Sequence, residues 1–124
     1  MQTFGVRLLG VSEGRVTLEL PISTALSQQN GFVHAGAIAS VLDSACGFAA
    51  LSVMDDVSDV LAVEFKINFV APAVGVAVQA LAEVIKAGRT ITLCKGEAFA
   101  VGTGGALKLV AVMQATMIRV ERKP

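Results

Sequence analysis

The chain is expected to fold as one α+β domain, residues 1–124, with a long helix wrapped by an antiparallel sheet. Three observations predict this. Two segments of alternating polarity come first, then one long Ala-rich apolar segment, then a second half of further alternating segments. Helix and strands kept apart along the chain in this way produce an antiparallel sheet rather than a βαβ weave. A length of 124 residues suits one domain and leaves little room for two. Finally, 54% of the residues are hydrophobic and the mean hydropathy is +0.70, which is high for so small a chain. Burial against copies of itself explains that excess, because an antiparallel sheet around one helix leaves edge strands and apolar surface to cover.

Each element follows from its local pattern. Phe4, Val6 and Leu8 alternate with Gly5 and Arg7, and Glu13-Gly14 marks a turn. Val16, Leu18 and Leu20 alternate with Thr17, Glu19 and Pro21, giving one buried and one solvated face. Residues 22–33 read as a loop with a flexible point at Gly31. Residues 35–53 are a helix, Ala-rich and expected to be buried on nearly all sides. The segment 60–70 is a strand with Val63, Phe65, Ile67 and Phe69 on one face and Ala62, Glu64, Lys66 and Asn68 on the other. Ala71-Pro72-Ala73 ends it. Strands over 76–85, 90–101 and 107–120 follow, separated by turns at 86–89 and 102–105, and these later segments reduce to about three hairpin-linked strands.

Composition excludes several functions. Ten basic residues balance ten acidic ones, and no basic cluster stands out, so nucleic acid is not an expected partner. Cys46 and Cys94 are the only cysteines and His34 the only histidine, which argues against a disulfide framework and a metal site alike. The stretch 35–54 has the length of a membrane span, but Asp43 lies near its centre. A carboxylate there costs roughly 2.5–3.5 kcal/mol on insertion scales. About half of the stretch is Ala, Gly and Ser, so a helix buried in protein fits better than a membrane span. No basic region leads into an apolar run at the N-terminus, and two free thiols suit a reducing compartment; the cytoplasm is the expected location.

The chemistry concentrates between Gln28 and Asp43. A polar loop containing Gln28, Asn30 and Gly31 delivers His34 to the start of the only long helix. Helix N-termini carry unpaired N–H groups and partial positive charge, so Ala35 and Gly36 stand where backbone donors can hold an oxyanion. Asp43 is a carboxylate in an apolar helix, which is costly unless it is paired or used as a base or nucleophile. A second reading stands beside each of these. His34 suits a simple helix start, Asp43 a structural pairing, the two glycines turns and close packing, and Gln28 and Asn30 ordinary loop hydrogen bonds. Nine positions separate His34 from Asp43, about 13 Å of rise and about 900° of rotation. One chain therefore does not bring them together, and a site using both has to form between two subunits.

The segment NGFVHAGAIASVLDSACGFAA, with Asp seven residues after its His-Ala-Gly glycine, resembles the PaaI-like group of hotdog-fold acyl-CoA thioesterases. The segments VEFKINFVAPA and KAGRTITLCKGEAF resemble that group too, so the likeness runs over roughly residues 12–120. It implies a hotdog fold, a homodimer or homotetramer, and hydrolysis of an acyl-CoA thioester to acid and free CoA without metal or cofactor. Asp43 matches the catalytic acid, the Ala35 N–H the oxyanion donor with Gly36 beside it, and His34 the motif histidine. Gln28 matches an amide that positions water or carbonyl. Lys86 and Arg89 are candidates for the nucleotide phosphates, and Asn30, Gly31 and Ala62 for substrate contacts. Three positions depart from the group's pattern. Ala35 stands where glycine is usual, Gln28 where Asn is commoner, and Ala62 where some members carry Ser or Thr. The rival readings are a non-catalytic acyl-CoA-binding hotdog protein and, lower, an enoyl-thioester hydratase or dehydratase.

Overall fold

The computed structural model describes residues 5–22 and 34–122. Its elements are β1 (Arg7–Ser12), β2 (Arg15–Pro21), α1 (Ala35–Leu51), β3 (Ser58–Phe69), β4 (Ala77–Ala87), β5 (Ile91–Val101) and β6 (Leu107–Glu121). The six strands form one antiparallel sheet in the order β1-β2-β4-β5-β6-β3, and α1 lies against one face of it. The α+β class expected from the sequence is the class observed.

The core is built from the two periodicities of its elements. Ile38, Val41, Leu42, Ala45, Cys46, Ala49 and Ala50 recur at helical spacing and are buried. In β2, Val16, Leu18 and Leu20 are buried on one face while Thr17 and Glu19 stay partly wet. Most of the facing sheet positions are small, so the helix comes close. A Cβ built on Gly96 of β5 would meet Leu42 Cδ2 at 3.0 Å and Cys46 Sγ at 3.2 Å. Glycine at 96 therefore sets the approach of helix to sheet. Gly14, at φ +79°, makes the β1–β2 turn that the sequence suggested.

Several expectations need correction. The helix ends at Leu51 rather than near residue 53, because the N–H groups of Val53 and Met54 bond to carbonyls three residues back, Ala50 at 3.2 Å and Leu51 at 3.0 Å, while the Ser52 hydroxyl accepts the Gly14 N–H at 2.8 Å and donates to the Ala49 carbonyl at 2.6 Å. The Ser52 hydroxyl thereby ties the end of the helix to the β1–β2 turn. The second half holds four strands, not three. β3 does not form a hairpin with β4; it crosses to the far edge and pairs with β6. Neither is α1 covered all round: Phe48 is 47% exposed, and Asp43, Ser44, Gly47 and Leu51 are only half-buried.

The largest correction concerns β3. Its register against β6 shifts between Ala62 and Glu64, which leaves Val63 as a bulge. A bulge reverses the face on which later residues fall. Ala62 stands opposite Met117, Phe65 opposite Ala115 and Ile67 opposite Met113, all three partners buried. So Ala62 shares the inner face with Phe65 and Ile67, although simple alternation puts it on the outer one. Among the described residues no helix is long and apolar enough to cross a membrane.

Candidate active site

Asp43 sits midway along α1, on the flank that the sheet leaves open beside β3. It lines a cavity of about 240 Å³ together with Gly47, Phe48, Leu51, Val60, Ala62 and Met117, with Ser44 and Asp59 completing the wall. The side-chain atom Oδ1 is buried and has no hydrogen-bond partner among the described residues. Burial pushes the Asp43 carboxyl above its ordinary value. An unpaired carboxylate oxygen on an apolar wall is costly to keep, and it makes a strong base for the same reason. The chemistry available is proton abstraction from water or direct attack on an electrophilic carbon.

The start of the helix offers the complementary chemistry. His34 is the N-cap residue, with extended backbone (φ −60°, ψ 137°) and no side-chain cap bond. Its carbonyl accepts the N–H groups of Ala37 at 3.1 Å and Ile38 at 3.3 Å. Ala35 and Gly36 precede these first helical bonds, and both are exposed. First-turn N–H groups lack an intrahelical acceptor and sit at the positive end of the dipole. The first turn has no acidic side chain to neutralise that end.

Within one chain these two halves stay apart. None of His34, Ala35 and Gly36 lines the cavity that holds Asp43. Ala62 does line it, carried there by the bulge at Val63. Lys86 and Arg89 are exposed at the β4–β5 connection and do not line the cavity. Their connection lies at the same end of the sheet, since the Thr90 carbonyl accepts the N–H of Arg119, and Arg119 pairs with Val60. Gln28, Asn30 and Gly31 lie outside the described residues. Cys46 and Cys94 are buried thiols of the core; burial first of all pushes them up to about 12 and about 11.

Sequence reasoning missed most of the apolar wall. Gly47 and Leu51 follow Asp43 by four and eight residues, which puts them on its helical flank, while Phe48, five residues on, lies further round the helix. That signal was available. The contributions of Val60 and Met117 depend on strand pairing and had no local signal. A second cavity, of about 380 Å³, lies on the other side of Phe48 and Leu51, against Leu8, Val11, Val16 and Leu18. Among the described residues its lining holds no titratable side chain.

Comparison with known proteins identifies the family and the fold. Residues 30–106 match the family model described as the Thioesterase superfamily. A solved thioesterase family protein of Silicibacter pomeroyi is 45% identical, with 98% of this chain and 88% of that one aligned at a TM-score of 0.94. The PaaI protein of the Escherichia coli phenylacetic acid degradation operon shares the fold at a TM-score of 0.83, with 20% identity over 96% of this chain and 82% of that one. A Saccharolobus solfataricus protein named as an esterase is 36% identical over 67 residues, 54% of this chain. The chain spans about half the length of that curated relative, 47%.

Proposed function

The chain belongs to the Thioesterase superfamily and has its hotdog fold, and from that premise we propose that it hydrolyses an acyl-CoA to the carboxylic acid and free CoA. The observation that carries this reading is Asp43: a carboxylate oxygen buried without a partner on an apolar wall, in a chain of a hydrolase family. The thioester carbonyl lies at the start of one subunit's helix, where the Ala35 N–H, with Gly36 beside it, holds the oxygen as negative charge develops. Asp43 of the other subunit either takes a proton from the attacking water or attacks the carbonyl carbon itself, and the mixed anhydride formed by that attack is then cleaved by water at the acyl carbon, which frees Asp43. The C–S bond breaks, the thiolate leaves as CoA and takes up a proton, and the acyl carbon keeps the oxygen of water. His34 orients the loop that presents the carbonyl, and Gln28 or Asn30 positions the water. The CoA nucleotide runs out toward surface cations such as Lys86 and Arg89.

A site shared by two subunits needs a dimer, and β3 supplies the edge. Gly47 lies beside Val60, with a Cβ at 47 reaching Val60 Cγ1 at 4.0 Å. Six residues link the end of α1 to the start of β3, so helix and strand run in opposite directions. Asp43 then lies level with Ala62. His34, about 13 Å further along the helix, lies about four strand residues beyond, level with Lys66. Antiparallel pairing of two β3 edges about a two-fold axis near Glu64 sets Ala62 of one chain opposite Lys66 of its partner. The same pairing sets Asp43 opposite the partner's helix start. The dimer thus completes the site that one chain leaves in halves.

The test is release of free thiol from a panel of acyl-CoAs by the wild type and Asp43→Ala. Cleavage of several thioesters, with a loss of about 10²-fold or more in the variant, is the expected result. Binding of acyl-CoA without cleavage, unchanged in the variant, would select the non-catalytic binding reading instead.

A further inference from the structure

Glycine inside a helix costs stability, because it adds backbone freedom to the unfolded chain and packs nothing. α1 carries one in its interior, Gly47. The packing of Gly96 explains its lack of a side chain, since a Cβ there would run into Leu42 and Cys46. Nothing of the kind applies at Gly47. A Cβ built on it would find a single atom within reach beyond its own helix and chain neighbours, Val60 Cγ1 at 4.0 Å, an ordinary van der Waals contact. What the missing side chain leaves is space, and that space belongs to the cavity of Asp43, one helical turn away.

We infer that Gly47 determines acyl specificity: it holds open the floor of the pocket so that an apolar acyl group of aryl or medium-chain size lies against α1 beside Asp43. This rests on the thioesterase reading and names the substrate class for the same site. Phe48, Leu51, Val60, Ala62 and Met117 supply most of the lining beyond Asp43, with Ser44 and Asp59 as its other polar members. Its volume is about 240 Å³. An apolar cavity of about 150 Å³ accommodates benzene. The pocket therefore takes a phenyl ring on a short tether, or a straight chain of comparable bulk, and an acetyl group leaves most of it unfilled. Each methylene that a pocket accepts or refuses changes kcat/KM by roughly 10–200-fold, so a methyl group added at position 47 is large enough to read.

The experiment compares wild type, Gly47→Ala and Gly47→Val as dimers, with phenylacetyl-CoA and acetyl-CoA as substrates. The expected result is a ratio of kcat/KM, phenylacetyl over acetyl, that falls about tenfold or more in the valine variant and by less in the alanine variant. Thermal stability of Gly47→Ala should rise, since alanine is the better helix former. An unchanged ratio, or a proportional fall for both substrates, overturns the inference. Loss of the dimer in Gly47→Ala also overturns it, because the glycine then serves assembly. Binding of S-ethyl-CoA and S-(2-phenylethyl)-CoA, thioethers that cannot be hydrolysed, reads the pocket without turnover. If the wild type cleaves no thioester, the hydrolase reading fails, while selective loss of the larger thioether in the variants still supports the pocket. Equal affinities for both thioethers in all three proteins overturn it.

Discussion

Asp43 is the residue at which sequence, geometry and electrostatics meet, and its burial makes a prediction with a definite sign. Burial raises its folded-state pKa. Below the ordinary aspartate range the group is protonated in both folded and unfolded chains, and burial costs little. As pH rises, the unfolded chain ionises first, and the folded state loses stability until the pH passes the raised folded value. Asp43→Asn should therefore stabilise the protein at neutral pH and do so less in acid, measured by urea denaturation at both. The same variant should lose turnover by about 10²-fold or more. In the wild type, kcat/KM should fall on the acid side with a midpoint above the ordinary aspartate range, because the carboxylate is the reacting form. This opposition, stability gained where activity is lost, separates a functional acid from one kept for structure. Asp43 and His34 were legible in the sequence because a lone carboxylate in an apolar helix and a lone histidine at its start have few neighbours to explain them. Ala62 was legible as a position but not as a face. A bulge at Val63 is invisible to alternation, since Val63 itself fits either face of a strand.

At the scale of elements, α1 was legible from its Ala-rich composition, and its end was not. The cap that ends it is made with Gly14, 38 residues away in sequence. Ser52→Ala should cost about 1–2 kcal/mol, because the Gly14 N–H loses its acceptor in a half-buried site. Equilibrium urea unfolding measures this, and an effect near zero would mean that the helix end and the β1–β2 turn are joined by packing alone. The strands were legible as segments, but their order was not. Pairing β3 with β6 joins Asp59 to Val120 and Ala62 to Met117, contacts too distant in sequence for any local pattern to announce. Phe48 is a consequence of that arrangement. It lines both the Asp43 cavity and the larger apolar cavity beyond it, and 47% of its surface stays exposed. Removing its ring should join the two spaces. Phe48→Ala should then raise kcat/KM for long straight-chain acyl-CoAs relative to short ones, measured across a series of chain lengths. A fall in proportion at every length would show that Phe48 supports the fold rather than divides the pocket.

At the scale of the whole molecule, the high hydropathy of the chain and the exposure of β3 describe one fact from two ends. β3 is a 12-residue strand at a sheet edge, with Ser58 buried, Val60 and Ile67 half-buried and its other nine residues exposed. Leu61 is 59% exposed, Val63 56%, Phe65 44% and Phe69 46%. A long, apolar, unpaired edge is what a chain protects against unless it pairs with something. Three charged side chains, Asp59, Glu64 and Lys66, interrupt the apolar run but leave Leu61, Val63, Phe65 and Phe69 exposed between them. Composition predicts association without saying which strand would carry it, because sheet order decides which strand is an edge. Leu61→Lys tests the edge with little cost to the single chain, since Leu61 already stands in water there. In a dimer through β3 the change sets a new charge into the interface on both copies. Sedimentation should show a shift from dimer toward monomer, reduced at high salt. Thiol release should fall with the dimer fraction and recover as protein concentration rises, because in the proposed dimer Asp43 and the helix start that completes its site belong to different chains. Activity that stays constant per chain while the dimer dissociates would place both halves of the site within one chain.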